Sequence, residues 1–332
     1  GSYSSAAVTF ATPFVYGTSN AAIDAGSLMH SKFILLLGAN IADLRFGCEL
    51  FNRLKFLAES GVKIITVDPR RSRTVTDLGS EWVKINPGTD SAFIAAIIHN
   101  LIEHGGIDND YIEKYTHGFD DYKDWLYTPP VKDAAWAETV CGTPAESIAA
   151  VAECYRKYRP AALIPGLSIQ RNLGGEDAAR SAMVLQAVTG NVGVPGGSSG
   201  ANIWGPMPNP ACGKMSAQPE RNAGDLPPAM HYVPVYIWPD AILSGGKHPP
   251  IRAAYNCGGN YLVQGADINK SKRAFDALEF SVTHDLFMTP TAAASDVVLP
   301  VADWLERSDI VFPEGNFLLY SAKAVDPPPG VK

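Results

Sequence analysis

The apolar positions of this chain fall into a few recognisable runs. Phe33 to Leu37 is an unbroken apolar stretch, the pattern of a strand buried on both faces of a parallel sheet, and Val62 to Val67 reads as a second buried strand. Between them, Leu50 to Ala58 carries apolar residues at helical spacing and stops at Gly61, a helix with a glycine terminator. Together they predict a βαβ unit, with Gly38 closing the first strand and Asp68 at the carboxyl end of the second. After Asp68 a short helix leads to Trp82 to Ile85, read as a third strand, and to the turn NPGTD. Asp90 is then the predicted N-cap of an amphipathic helix over 90–104.

Residues 107 to 158 read as mostly helical, with Thr143 and Glu146 spaced as a capping box and Pro160 ending the block. Ala161 to Ile164 predicts a further strand opening into PGLSIQRNLGG, and Asp177 to Val188 a helix. The glycine- and proline-rich stretch that follows, TGNVGVPGGSSGANIWGPMPNPACG, is too long for a simple connection and reads as a functional loop. Residues 1 to 30 are small and polar and read as a loop or lid. From Ile251 the opening logic returns: IRAAYNCGGN as a strand ending in glycines and an asparagine, SKRAFDALE as a helix, FSVTHD as a strand ending in an acid, and VVLP as another short strand. Asn40 to Asp68 and Asn260 to Asp285 have nearly matching separations, on the scale of a mononucleotide-binding βαβ half. A length of 332 residues accommodates two such domains, drawn here as 1–160 and 161–332.

An acid at the end of a second strand is where such folds hold a ribose or a base edge. The Gly-x-Gly-x-x-Gly fingerprint is missing from the first turn, which points away from an ordinary NAD dehydrogenase. A formal charge of −7 and the lack of a basic run argue against nucleic acid as a partner. The five cysteines form no C-x-x-C pair, which argues against an iron–sulfur cluster, a zinc site or a disulfide framework within the chain. No apolar stretch approaches the length of a membrane span, so direct membrane insertion is not expected.

SKFILLLGAN, TVDPRRS, INPGTD, LSIQRNLGG, AVTGNVGVPGG, THDLFMTPTAAASDVVLP and LERSDIVFPEGN, in that order, resemble the molybdopterin oxidoreductases of the dimethyl sulfoxide reductase family. The resemblance covers almost the whole chain. It implies two pseudo-symmetric, interleaved α/β domains with mostly parallel sheets, each binding one of two molybdopterin guanine dinucleotides that share a molybdenum. Carried over by position, Gly38 and Asn40 approach one pyrophosphate, and Asp68, Arg70 and Asp90 hold that guanosine. A carboxylate suits the adjacent N–H donors of guanine, and arginine suits phosphate. Gln170 and Arg171 lie near the pterins; Gly258, Asn260, Asp285, Thr289 and Thr291 serve the second dinucleotide. The loop at Gly190, Asn191 and Gly196 closes over the cleft.

YSSAAV resembles the segment that supplies the protein ligand to molybdenum, with Ser4 at the ligand position and Ser5 beside it. A serine there implies reduction of an S-oxide or N-oxide, since a hard oxidised metal matches an alkoxide oxygen. Several of these residues also suit plainer roles. Asp68 before Pro69 fits a turn start, Asp90 an N-cap, Arg70 and Arg71 a solvated pair, Ser4 a loop serine, and His284 a core or orienting histidine. A non-catalytic structural or electron-transfer relative, or a molybdopterin oxidoreductase with another small substrate, is the alternative function.

The resemblance departs from the family where Asn40 is followed by Ile41 rather than proline. It further implies that the chain is the central part of a larger enzyme, with an iron–sulfur cluster possible in a leading domain and a closing domain over the pterins. The isolated chain is expected to hold no molybdenum. For the full-length protein an iron–sulfur electron-transfer subunit is a possible partner. A periplasmic location, or membrane association through a partner, is the corresponding expectation.

Overall fold

The structure is a computed structural model, described for residues 4–18, 21–44, 49–201, 233, 235, 237–244, 250–311 and 319–331. Cys48, Cys212 and the end of the glycine- and proline-rich loop, from residue 202, lie outside these. The chain divides into two compact units, Ser4–Asn209 and Pro210–Lys332.

In the first unit, helix α1 (Ala6–Tyr16) precedes strand β1 (Phe33–Leu37), helix α2 (Glu49–Glu59), β2 (Lys63–Val67), α3 (Arg73–Leu78) and β3 (Glu81–Val83). Helices α4 (Asp90–Glu103), α5 (Asn109–Tyr115), α6 (Phe119–Tyr127), α7 (Ala134–Cys141) and α8 (Ala145–Lys157) follow, then β4 (Ala161–Pro165) and α9 (Gly175–Val188). The strands form one parallel sheet in the order β3-β2-β1-β4, with Phe33 opposite both Lys63 and Ala161. Every residue of β1 and β4 is buried. Leu35, Leu37, Ile65 and Val67 pack with Phe93 and Ile97 of α4 and Val151 of α8, while Ile34, Leu36 and Ile64 pack with Leu54 and Leu57 of α2. Cover on both faces is why β1 and β4 read as unbroken apolar runs, each full-size side chain contributing about 1.5–3 kcal/mol on burial.

Three local expectations are corrected here. Residues 6–16 form a helix, not a lid: Val8 and Ala11 pack on Ala179 and Met183 of α9. Small residues that read as loop composition serve close helix approach instead. Asp90 is the first helical residue of α4, and Thr89 occupies the N-cap position. Thr143 forms no capping box, because Pro144 is the N-cap of α8. The Thr143 hydroxyl donates to the Lys84 carbonyl at 2.7 Å, and Glu138 accepts the Ala145 N–H at 3.1 Å. In both cases tertiary partners replaced the local ones.

The boundary drawn at 160/161 also moves. β4 hydrogen-bonds to β1 inside the first sheet, and the compact unit continues to Asn209. A parallel neighbour must be reached by a long crossover, so the helical block from α4 to α8 belongs to that connection rather than to a domain end.

The second unit contains α10 (Trp238–Ser244), β5 (Ala253–Cys257), α11 (Tyr261–Gln264), α12 (Ile268–Asp276), β6 (Phe280–Asp285), α13 (Pro290–Ala293) and β7 (Val297–Pro300), then β8 (Asp309–Val311) and β9 (Leu319–Ser321). β5, β6 and β7 form a parallel sheet in that order, and β8 pairs antiparallel with β9. Here Tyr255, Phe280, Val297 and Leu299 remain exposed. No helix among the described residues is long and apolar enough to cross a membrane.

Candidate functional site

Each unit presents the same βα turn at the carboxyl end of its first strand. β1 ends in Gly38 at φ +59°, and β5 ends in Gly258 at φ +63°, the left-handed region that glycine enters without a Cβ penalty. The Gly38 N–H donates to the Val67 carbonyl at 2.8 Å, and the Gly258 N–H to the His284 carbonyl at 2.9 Å. Two residues on, Asn40 Oδ1 accepts the Thr74 hydroxyl at 2.8 Å and its N–H at 3.4 Å. Asn260 Oδ1 accepts the Thr291 hydroxyl at 2.8 Å and its N–H at 3.3 Å. The threonine oxygens in turn accept the N–H groups of Ala42 at 2.9 Å and Leu262 at 3.0 Å. Both asparagine carbonyl oxygens therefore lock the turn, and Asn40 Nδ2 donates to Asp43 at 2.7 Å. What the turns leave for an anion is backbone at the left-handed glycines and the asparagine Nδ2 hydrogens not given to Asp43.

The acids stand where the sequence places them. Asp68 directly follows β2 and Asp285 is the last residue of β6. Asp68 Oδ1 accepts the Arg70 N–H at 3.0 Å, and Asp285 Oδ1 accepts the Phe287 N–H at 3.2 Å. Thr289 caps α13 through the Ala292 N–H at 3.2 Å and donates its hydroxyl to Asp285 Oδ2 at 3.3 Å. At the first site Asp90 joins Asp68. Burial, reinforced by the nearby Asp68 charge, pushes the Asp90 carboxyl up to about 6. Neither carboxylate has an ion-pair partner among the described residues. Two clustered buried carboxylates without a cation call for N–H donors, which is what the edge of guanine offers. Arg70 is exposed beside them. Ser72 Oγ is buried with no hydrogen-bond partner, a further polar atom left open at this end of the sheet.

Gln170 and Arg171 follow β4 through a 3-10 turn at Leu167–Gln170. Gln170 is 6% exposed and its carboxamide is engaged with the start of α1. Arg171 Nε donates to the Ser4 carbonyl at 3.2 Å. The turn is seated on Gly38: Ser168 Oγ donates to the Gly38 carbonyl at 2.7 Å, and a Cβ on Gly166 would stand 1.8 Å from that same oxygen. Ser4 is exposed, and its hydroxyl has no hydrogen-bond partner among the described residues.

Gly190, Asn191 and Gly196 do not close over this end of the sheet. Asn191 is buried and accepts the Ala161 N–H at 2.9 Å, at the start of β4. Ser31 Oγ donates to the Gly196 carbonyl at 2.7 Å, just before β1. Ser198 Oγ accepts the Leu163 N–H at 3.0 Å and donates to the Leu163 carbonyl at 2.8 Å. The segment covers the outer edge of β4, whose backbone groups would otherwise be buried unpaired. Its expected role is corrected accordingly. The His284 ring pairs with Tyr255 Oη, and the residue enters the turn only through its backbone carbonyl. A wide basin lined by Lys32, Lys63, Glu81 and Arg159 lies at the amino-terminal ends of the strands, opposite the end where open α/β sheets bind ligands.

Sequence reasoning missed Thr74, Ser72 and Ser168. The signal for the first two was present: Thr74 and Thr291 each stand six residues after their acid, and Ser72 and Thr289 four. Ser168 carried no such mark, since its role arises only from the approach of β4 to β1.

The chain is 31% identical to a trimethylamine-N-oxide reductase of Haemophilus influenzae over 99% of its length, covering 44% of that protein. It is 32% identical to a dimethyl sulfoxide/trimethylamine N-oxide reductase of Rhodobacter capsulatus, over 77% of this chain and 34% of the other. It thus spans less than half the length of these relatives. The solved structure of acetylene hydratase from Pelobacter acetylenicus shares the fold, with a TM-score of 0.74 at 19% identity, over 99% of this chain and 48% of that one. The sequence model of the molybdopterin oxidoreductases matches residues 1–332, and the chain belongs to that family.

Proposed function

We propose that the complete polypeptide to which this chain belongs reduces an S-oxide or N-oxide at a molybdenum carried by two pterin guanine dinucleotides. The residues fit those groups. Two left-handed glycine turns stand at strand carboxyl ends, Asp68 and Asp90 are buried without a cation partner among the described residues, and Ser72 Oγ has no hydrogen-bond partner among them. Asp68, Asp90 and Arg70 would hold one guanosine; Asp285 and Thr289 would hold the other. Thr74 and Thr291 brace the turns rather than touching the ligand.

When bound, molybdenum supplies the two-electron chemistry in which an S–O or N–O bond breaks and, with two protons, the oxygen leaves as water. The chain's part is to position and tune that group. The observation that carries the substrate class is Ser4. Its backbone is held by Gln170 and Arg171 beside the Gly38 turn while its hydroxyl has no partner among the described residues, as a hard oxygen ligand requires.

The test uses the complete enzyme. Ser4→Ala should retain cofactor, because phosphate and guanine contacts hold it, and should lose turnover by orders of magnitude through altered metal geometry. Ser4→Cys should keep metal with a shifted redox midpoint, thiolate being the softer donor. Ser5→Ala is the control and should be near silent. Full S-oxide and N-oxide reduction by Ser4→Ala would remove the serine and the substrate class together.

A further inference from the structure

Helix α1 starts with Ser5 in the N-cap position, yet the Ser5 side chain makes no cap hydrogen bond, and the first turn holds no acidic residue. An N-cap serine ordinarily accepts the N–H of the second or third helical residue with its own hydroxyl, from an extended backbone. Ser5 instead has φ −142° and ψ 21°. The third helical N–H, that of Val8, donates to Gln170 Oε1 at 3.0 Å, from a residue 162 positions away. The same carboxamide donates through Nε2 to the Ser4 carbonyl.

One buried side chain therefore supplies the cap that Ser5 does not, and also grips the residue before it. Arg171 Nε adds a second donor to the Ser4 carbonyl at 3.2 Å. Gln170 is itself fixed from behind. A Cβ on Gly175 would lie 2.2 Å from the Gln170 carbonyl oxygen, so only glycine lets the first turn of α9 lie this close. Ser168, in the same 3-10 turn, ties the bracket to the Gly38 carbonyl at 2.7 Å.

We propose that Gln170 is a positioning residue that acts through the Ser4 backbone. It caps α1 from outside, leaves both serine hydroxyls free of capping, and sets Ser4 Oγ at a fixed place relative to the Gly38 turn. It does this without contacting cofactor or substrate. The inference rests on the reading of Ser4 as the metal ligand, and changes the role first drawn for Gln170 from cofactor contact to support of the ligand segment. Its short amide suits the task because it offers one acceptor and two donors from a single plane; no other uncharged side chain but asparagine does so, and asparagine is one carbon shorter.

The test compares Gln170→Leu, Gln170→Glu and Ser4→Ala in the complete, molybdenum-loaded enzyme by metal content and Mo(V) paramagnetic resonance. In this chain, exchange of the Val8 amide is read as well. Gln170→Leu should retain molybdenum, give a Mo(V) spectrum displaced toward that of Ser4→Ala, and speed Val8 exchange by about fivefold. Gln170→Glu keeps an acceptor for the Val8 N–H and loses the donor to Ser4. It should restore slow exchange but not the wild-type spectrum. A wild-type spectrum in Gln170→Leu beside an altered one in Ser4→Ala overturns this inference alone. Loss of molybdenum in Gln170→Leu also overturns it, in favour of direct cofactor contact. A wild-type spectrum in Ser4→Ala overturns the ligand reading and this inference with it.

Discussion

The two βα turns share one scaffold and differ in what the scaffold displays. Glycine, asparagine and threonine repeat with hydrogen bonds matched to within about a tenth of an ångström: 2.8 Å from either threonine hydroxyl, and 2.9 and 3.0 Å from the following N–H groups. Even the hydroxyl pairs behind the strands correspond, Thr66 with Ser80 and Thr283 with Ser295, both at 2.7 Å. The displays diverge. The first turn offers Asp68 and Asp90, both buried and without cations; the second offers Asp285 with the Thr289 hydroxyl against it. Around them the first sheet is covered on both faces, whereas the second leaves Tyr255, Phe280, Val297 and Leu299 exposed. The turn geometry is set by backbone groups that must be satisfied whatever is bound. The display is free to differ, because nothing in the turn depends on it.

The largest effect that would sharpen this comparison lies in the close approach found only at the first turn. Gly166→Ala sets a Cβ at 1.8 Å from the Gly38 carbonyl oxygen, backbone against backbone. Overpacking that side chains can relieve costs about 1–3 kcal/mol, and this contact should exceed that range. Gly258→Ala meets no atom within 4 Å and should lose only the left-handed strain of about 1–2 kcal/mol. Hydrogen exchange followed separately in the two sheets measures both, and a Gly166→Ala variant as stable as wild type would show that β4 does not seat on the Gly38 turn.

Next comes the charge that only the first turn carries. The Asp90 carboxyl is raised to about 6 when folded, against about 3.9 in an unfolded chain. The folded state thus binds the Asp90 proton more tightly. Its contribution to stability is complete below pH 4 and is lost as pH rises through 6. Asp90→Asn should therefore stabilise the first unit by on the order of 3 kcal/mol at pH 8 and by close to nothing at pH 3.5. Urea titrations at the two pH values decide it; equal midpoint shifts at both would mean that the buried charge is relieved some other way.

The smallest difference is the one that tests equivalence. Thr74→Val and Thr291→Val each remove a donor to an asparagine oxygen and an acceptor for a backbone N–H, at residues with 0% exposure. Each should cost about 1–3 kcal/mol, and the two costs should agree within about 0.5 kcal/mol. Local exchange at Ala42 and Leu262 reads them separately, and a silent variant on one side only would break the symmetry of the scaffold.

The sequence by itself determined the strands, the duplicated unit and the acids. β1 is an unbroken apolar run because both faces are covered, and Asp68 stands just past β2 because a charge cannot enter such a layer. Spacing from each acid also held Thr74 and Ser72, unread. Tertiary structure decided everything that depends on a partner distant in the chain. Thr143 looks like a cap, but its hydroxyl goes to the Lys84 carbonyl instead, and the first turn of α1 is capped by Gln170. Residues 6–16 look like a loop until α9 offers them a surface. Asn191 looks like part of a lid until the open edge of β4 requires an acceptor. Local pattern reports which groups must be buried or paired; which group pairs with which is fixed only when the chain brings residues 4 and 170, or 161 and 191, within a hydrogen bond of each other.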